Sequence, residues 1–316
     1  MTISGEINYP VRTPSELTRL REEISALKRR FNAVIVSHNY QIPEVQDIAD
    51  FVGDSLELAR KCAEVKAGTI LFCGVDFMAE TAAILNPEAQ VLLAASTACC
   101  PMSQMIDAED VKEWRRKYPR AAVVSYVNTS AEVKAESDIC CTSANAVKIV
   151  ESLTNVEIIF VPDKNLGHYV ATKTKKKIIL YPGFCITHDR LTATDVKKAK
   201  REHPEASVLV HPECRAEVIE LANGVLSTSQ MLRYVKESPV KIFLIGTEEG
   251  ILHRMRLENP DKNFYNISPV LICVNMKKTR LETIVDTLKE QRNRIIVPEE
   301  IRVRAKRALD KMLAVK

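Results

Sequence analysis

The residues best able to do chemistry are cysteines. Nine stand in the 316-residue chain: Cys62, Cys73, Cys99, Cys100, Cys140, Cys141, Cys185, Cys214 and Cys273. Their number is odd and they are spread over a long chain, so the disulfide frame of a short secreted domain is not expected. In a reducing compartment thiols serve as small core hydrophobes, metal ligands or nucleophiles, and no CxxC or Cys/His finger spacing chooses among these. Position within a repeat does choose. Cys100, Cys185 and Cys273 lie 62, 59 and 62 residues beyond three equivalent anchors, His38, Tyr126 and His211, whereas the other six fall at unequal positions. One cysteine per unit suits a metal centre shared by three units. Three thiolates without a nearby imidazole for a fourth corner fit an iron–sulfur cluster better than structural zinc, which prefers four protein ligands. A [4Fe–4S] cluster held by three cysteines keeps one iron open. Such an iron acts as a Lewis acid on a hydroxyl or carboxylate, so dehydration or condensation fits at least as well as electron transfer.

The repeat that positions these thiols begins at three short β-branched runs: Val34-Ile35-Val36, Ala122-Val123-Val124 and Val208-Leu209-Val210. Their anchors are 88 and 85 residues apart. Six residues beyond each anchor stands Glu44-Val45, Glu132-Val133 or Glu217-Val218, and twelve beyond stands Asp50, Asp138 or Asn223, closing a short helix. Ser55, Ser143 and Ser227 come at offsets 17, 17 and 16, each after a brief apolar step and each read as the N-cap of a further helix. Ile70–Cys73, Ile158–Val161 and Ile242–Ile245 read as buried strands, and a fourth apolar run precedes each recurring cysteine.

Short β-branched runs alternating with amphipathic stretches read as β-α units, and strands buried on both faces imply parallel sheets covered by helices. The expected fold is α/β, with three homologous αβα sandwiches in a pseudo-threefold arrangement around a central cluster. The expected division is an N-terminal helical segment at 1–30, repeats at 31–117, 118–203 and 204–290, and a C-terminal extension at 291–316. Thr13, Pro14 and Glu16 form a capping-box start for a helix to Arg30, with counterparts near Ala108–Lys117 and Thr194–Glu202. Polar residues that directly follow strands collect at the carboxyl edge, where open α/β sheets bind ligands. Three helices opened by serine would offer an anion cradle through their free N–H groups.

Composition narrows the function. Lys+Arg exceeds Asp+Glu by 45 to 41, aromatics are 5%, and basic residues are mixed with acidic ones, which disfavours nucleic acid as a partner. No apolar run approaches the roughly 20 residues of a membrane span. The start MTISGEINYP has no leader pattern, so a cytoplasmic protein without membrane contact is expected. GxGxxG and GxxxxGK[ST] are absent, so phosphate would be held some other way.

From about Glu16 to Leu313 the chain resembles the quinolinate synthase family. The carriers are His38-Asn39-Tyr40-Gln41, the run Gln46 to Ser55, the run Gly74 to Glu80, Cys100-Pro101-Met102, Tyr126-Val127-Asn128, Thr142 to Ala146, His211-Pro212-Glu213-Cys214 and the run Cys273 to Lys278. The resemblance implies condensation of iminoaspartate with dihydroxyacetone phosphate, with loss of phosphate and two waters, on a cluster ligated by Cys100, Cys185 and Cys273. It also implies a functional link to an iminoaspartate-producing enzyme. By the same resemblance Tyr40 and Tyr126 orient substrate and move protons, and His211 with Glu213 serves enolisation and tautomerisation. His38 and Asn128 would hydrogen-bond substrate, and Ser55, Ser143, Ser227 and Thr228 would contact its carboxylate or phosphate. The chain departs from the family's usual pattern where Ile186 follows the second cysteine instead of Pro, and where Ser229 follows Thr228 instead of Gly.

Two rival functions share the three cysteines: a radical S-adenosylmethionine enzyme of the diphthamide-synthesis type, and a non-catalytic iron–sulfur sensor. The first does not call for the His38-Tyr40, Tyr126-Asn128 and His211-Glu213 sets, and the second expects a switch surface that the sequence lacks. Other features take plain readings. Cys140-Cys141 and Cys214 are read as core thiols, Lys173 to Lys177 as a solvated edge, and His168, His188, His203 and His253 as surface or core histidines. The tail from Pro298 to Lys316 is read as a capping helix.

Overall fold

The computed structural model describes residues 12–315, so the reading of the first ten residues lies outside the described residues. Among the described residues, twelve short strands form three four-stranded parallel sheets. In the first are β1 (Ala33–His38), β2 (Phe51–Gly53), β3 (Thr69–Cys73) and β4 (Gln90–Leu93). The second holds β5 (Ala122–Tyr126), β6 (Ile139–Cys141), β7 (Glu157–Val161) and β8 (Lys177–Leu180). The third holds β9 (Ser207–Val210), β10 (Gly224–Val225), β11 (Ile242–Gly246) and β12 (Asn263–Asn266). Spatial order is the same in each: β2-β1-β3-β4, β6-β5-β7-β8 and β10-β9-β11-β12. Register repeats as well, pairing Ser37 with Val52, Ser125 with Cys140 and Val210 with Val225. The brief apolar steps are therefore edge strands, and the three αβα sandwiches are copies of one plan.

The recurring residues have local causes. Asp50, Asp138 and Asn223 each give their N–H to a central-strand carbonyl and accept that residue's N–H: Ile35 at 2.8 Å, Val123 at 2.8 Å and Val208 at 2.8 Å for the accepted bond. A side-chain oxygen thus extends the ladder where the chain turns. Val45, Val133 and Val218 of the Glu-Val pairs are fully buried under the short helices that carry them.

Alternate strand residues serve two different cores, as the two-residue period of a strand requires. Val36, Val124 and Leu209 face one shared central core, together with Phe72, Phe160 and Ile245. Ile35, Val123 and Val208 face three separate outer cores. The shared core ties the three sheets into one body.

The helix Pro14–Arg30 starts with the Thr13/Glu16 capping box, and the helices Ala108–Lys117 and Ala193–Glu202 begin with the same device at Asp107 and Thr192. After Asn293, whose carbonyl accepts from Leu93 N–H, the chain runs along β4 with Ile295 N–H donating to Val91. It closes with the helix Glu299–Ala314, whose Leu309 and Met312 enter the shared core. No described helix is long and apolar enough to cross a membrane.

Candidate active site

The carboxyl ends of the three sheets open on one cavity. Its lining draws His38, Tyr40 and Ser55 from the first repeat, Tyr126, Asn128 and Ser143 from the second, and His211, Glu213 and Thr228 from the third. Cys100, Cys185 and Cys273 line the same cavity. Residues 88 and 85 apart in sequence become neighbours because each ends or follows the central strand of its sheet.

Glu213 is the hub of the polar side chains. Its Oε2 lies 2.6 Å from His188 Nδ1 and 3.4 Å from His211 Nδ1, and the Tyr126 hydroxyl hydrogen-bonds the same carboxylate. On its other ring nitrogen, His188 Nε2 is 2.8 Å from Thr247 Oγ1, which is 2.5 Å from Tyr40 Oη. The tautomer follows: Nδ1–H donates to Glu213, and Nε2 accepts from Thr247. A continuous chain Tyr40–Thr247–His188–Glu213–Tyr126 therefore crosses the cavity. His188 stacks on His211 at 4.6 Å between centroids, and His211 Nε2 is 3.2 Å from Ser143 Oγ. His38 Nδ1 accepts the Tyr40 N–H at 3.1 Å, which leaves Nε2–H as the free donor.

Burial sets the protonation of this cluster. It lowers His38 to about 4 and His211 to about 3, so both rings are neutral near pH 7. For Glu213 burial works against ionisation, but attraction to the His211 and His188 rings in their protonated forms, with the bonds from His188 and Tyr126, outweighs it and holds the carboxyl below its usual range. Both Tyr40 and Tyr126 are pushed up, first by burial and then by Glu213, and stay protonated. Among the described residues Glu213 Oε1 and Asn128 Oδ1 have no hydrogen-bond partner although both atoms are buried, leaving two acceptors for a bound molecule.

The buried neutral histidines make stability pH-dependent. A histidine depressed from 6.5 to about 4 stabilises the fold fully above 6.5, and this is lost as pH falls toward 4 because the unfolded chain takes up the proton first. His38 alone contributes on the order of 3 kcal/mol across that interval. Melting of the metal-free protein is expected to drop between pH 7 and pH 4.5, less so for His38→Gln. An equal drop in that variant would remove His38 as the cause.

The three ligand candidates fit a shared metal group. Each is a free thiol, delivered by a different repeat, and none is paired in a disulfide. The lack of a nearby imidazole expected from the sequence is corrected: His188 Nδ1 lies 3.2 Å from Cys185 Sγ. Donor atoms of Cys185, His188 and Glu213 lie within 4.8 Å of one another and could hold a single ion. That arrangement would leave Cys100 and Cys273 unused and take Glu213 out of the hydrogen-bonded chain. The shorter 2.6 Å contact shows His188 engaged by the carboxylate rather than by the thiol.

The family model described as quinolinate synthetase A protein matches residues 22–314. The chain belongs to the quinolinate synthase family. A quinolinate synthase from Methanoregula boonei is 59% identical over 295 residues, covering 93% of this chain and 98% of its own. One from Thermodesulfovibrio yellowstonii is 55% identical over 298 residues, 94% of this chain and 98% of its own. One from Alkaliphilus metalliredigens is 51% identical over 300 residues, 95% and 99%. Family membership makes the chain an enzyme and supports a metal cofactor.

Of the sequence candidates in this quinolinate synthase fold, Ser227 does not line the cavity. Its side chain accepts from Gln230 N–H and caps the helix Thr228–Glu237. The cradle of three serine caps is likewise corrected. Asp54, not Ser55, caps the helix Ser55–Glu64, accepting from Leu56 and Glu57 at 3.0 Å each. Asn145 stands at the start of the helix Ala146–Ser152 with its Oδ1 turned to Thr142, so Ser143 lies in the preceding turn. Ser55 and Ser143 reach the cavity as hydroxyls rather than as helix caps. Lys176 and Lys177 of the basic run are bound to the Leu153 carbonyl and to Glu157, away from the cavity.

Sequence reasoning missed His188, Thr247, Glu248 and Lys277. For His188 a signal existed: Cys185-x-x-His188 puts both residues one turn apart on a helix, here Ile186–Asp189 with Cys185 at its cap. Lys277 and Glu248, both buried, pair at 2.7 Å. Nothing local marks that pair, since 29 residues separate its members.

Proposed function

We propose that the chain condenses iminoaspartate with dihydroxyacetone phosphate to quinolinate, releasing phosphate and two waters, with a [4Fe–4S] cluster held by Cys100, Cys185 and Cys273. The observation that carries this reading is the convergence, in one buried cavity, of three thiols from three repeats and the chain Tyr40–Thr247–His188–Glu213–Tyr126. When bound through three cysteines, the cluster supplies an open iron as Lewis acid to a substrate carboxylate or hydroxyl.

The protein's own groups divide the remaining work. Ring closure needs protons removed from one carbon and delivered to departing oxygens. Glu213, ionised and in contact with two imidazoles, accepts such a proton, and the Tyr126 hydroxyl beside it donates one. Through His188 and Thr247 the proton passes between Glu213 and Tyr40 without leaving the site. His38 Nε2–H and Asn128 orient the substrate, and the hydroxyls of Ser55, Ser143 and Thr228 take carboxylate or phosphate oxygens. Ser227 acts one step back, by fixing the helix that presents Thr228.

Tyr40, Tyr126, His211 and Glu213 are all buried, which keeps bulk water from an imine that hydrolyses readily. An iminoaspartate-producing enzyme is the partner this chemistry requires, and a reducing cytoplasm is the compartment that suits the cluster. The test is stoichiometric: anaerobically reconstituted protein, given iminoaspartate formed in place and dihydroxyacetone phosphate, should release quinolinate and phosphate in equal amounts. Phosphate without quinolinate would mean simple elimination and would refute the condensation.

A further inference from the structure

Each candidate ligand cysteine has its backbone N–H held by a carboxylate that stands just after β3, β7 or β11. Asp76 Oδ1 accepts from Cys100 at 3.0 Å, Asp163 Oδ2 from Cys185 at 3.2 Å and Glu248 Oε1 from Cys273 at 3.1 Å. These acids lie 38, 37 and 37 residues beyond His38, Tyr126 and His211, so they are one position of the repeat. Each carboxylate also grips the start of the helix that follows its own strand. Asp76 Oδ1 accepts from Phe77 N–H at 2.9 Å, Asp163 Oδ1 from Asn165 at 2.8 Å and Leu166 at 3.0 Å, and Glu248 Oε2 from Gly250 at 2.8 Å. The third helix starts later, at Ile251, and there the longer glutamate spans the gap.

We infer that Asp76, Asp163 and Glu248 are a threefold set of positioning residues that aim the three ligand cysteines by clamping their backbone amides. This rests on the proposed cluster and extends it from the ligands to what holds them. Helix capping alone does not explain the residue type. Serine or asparagine caps a helix as well, at a lower desolvation cost than a buried carboxylate. An amide side chain has a single carbonyl oxygen, whereas a carboxylate accepts N–H groups arriving from two directions. Asp163 and Glu248 accept from the helix start on one oxygen and from the cysteine on the other, so strand end, helix and ligand loop meet at one side chain. Lys277 pairs with Glu248 at 2.7 Å and donates to the Tyr40 carbonyl at 2.7 Å, linking the third clamp to the first repeat.

The test uses full-length protein reconstituted anaerobically. Asp163→Asn and Glu248→Gln keep the side-chain shape but can accept from only one side; Asp76 takes both of its bonds on Oδ1, so its test is Asp76→Ala, which accepts neither. Iron release to a ferrous chelator is expected to speed up roughly 10- to 100-fold in the amide variants and further in Asp76→Ala, the range usual for groups that orient metal ligands. The visible circular dichroism of the cluster should change with it. Asp107→Ala, which removes a carboxylate cap from the helix Ala108–Lys117, is the control and should release iron at the wild-type rate. Wild-type release rates and spectra in all three clamp variants would overturn the inference, as would equal loosening by Asp107→Ala. A wild-type chain that takes up no cluster would overturn the proposed function, and the clamp with it.

Discussion

Alanine at Cys100, Cys185 or Cys273 is expected to abolish iron uptake and quinolinate formation, while alanine at Cys62 or Cys73 leaves the iron content of the wild-type chain. The difference is one of place. The first three thiols line the cavity; Cys62 and Cys73 are fully buried between apolar side chains. A truncated core thiol costs a small amount of packing, on the order of 1 kcal/mol. A missing ligand leaves two cysteines for a cubane that needs at least three protein anchors. Iron and acid-labile sulfide, measured on each variant after the same reconstitution, separate the two groups. Loss from Cys62→Ala equal to that from Cys100→Ala would sink the ligand assignment.

Glu213→Gln and Tyr126→Phe are expected to bind the cluster and to turn over about 10²- to 10⁴-fold more slowly, the usual loss on removing a positioned acid or base. Glutamine at 213 keeps the shape but cannot carry the charge that His188 Nδ1–H and the Tyr126 hydroxyl now satisfy. Phenylalanine at 126 removes the proton donor and leaves the ring packed. Both should lower kcat more than they raise KM, because the lost contacts matter when protons move rather than when substrate docks. Activity within twofold of wild type in either variant, at full iron content, would remove that residue from the chemistry.

Much of this was legible in the sequence because the repeat is built from short-range rules. Central strands announce themselves as β-branched runs, and Asp50, Asp138 and Asn223 recur because each completes the same two hydrogen bonds to its strand. The cysteines recur because three copies of one loop face one cavity. The serines show where local rules stop. At Ser55 and Ser143 a neighbouring Asp54 or Asn145 occupies the helix start, and choosing between adjacent capping residues depends on backbone angles that spacing does not encode. His188 was hidden differently: its spacing from Cys185 was a signal, but its role emerges only when Glu213 and Thr247 arrive from another repeat. The acids at 76, 163 and 248 were within reach, since they share the cysteines' periodicity, but two aspartates and a glutamate do not align as one residue type.

Mössbauer spectroscopy of the chain reconstituted with iron-57, before and after quinolinate is added, reads the proposed centre most directly. The expected spectrum is that of about four irons per chain, one of which changes on binding while the others do not. A single mononuclear iron, as Cys185, His188 and Glu213 alone would hold, or a cluster in which no iron responds to quinolinate, would contradict the three-cysteine centre with an open iron.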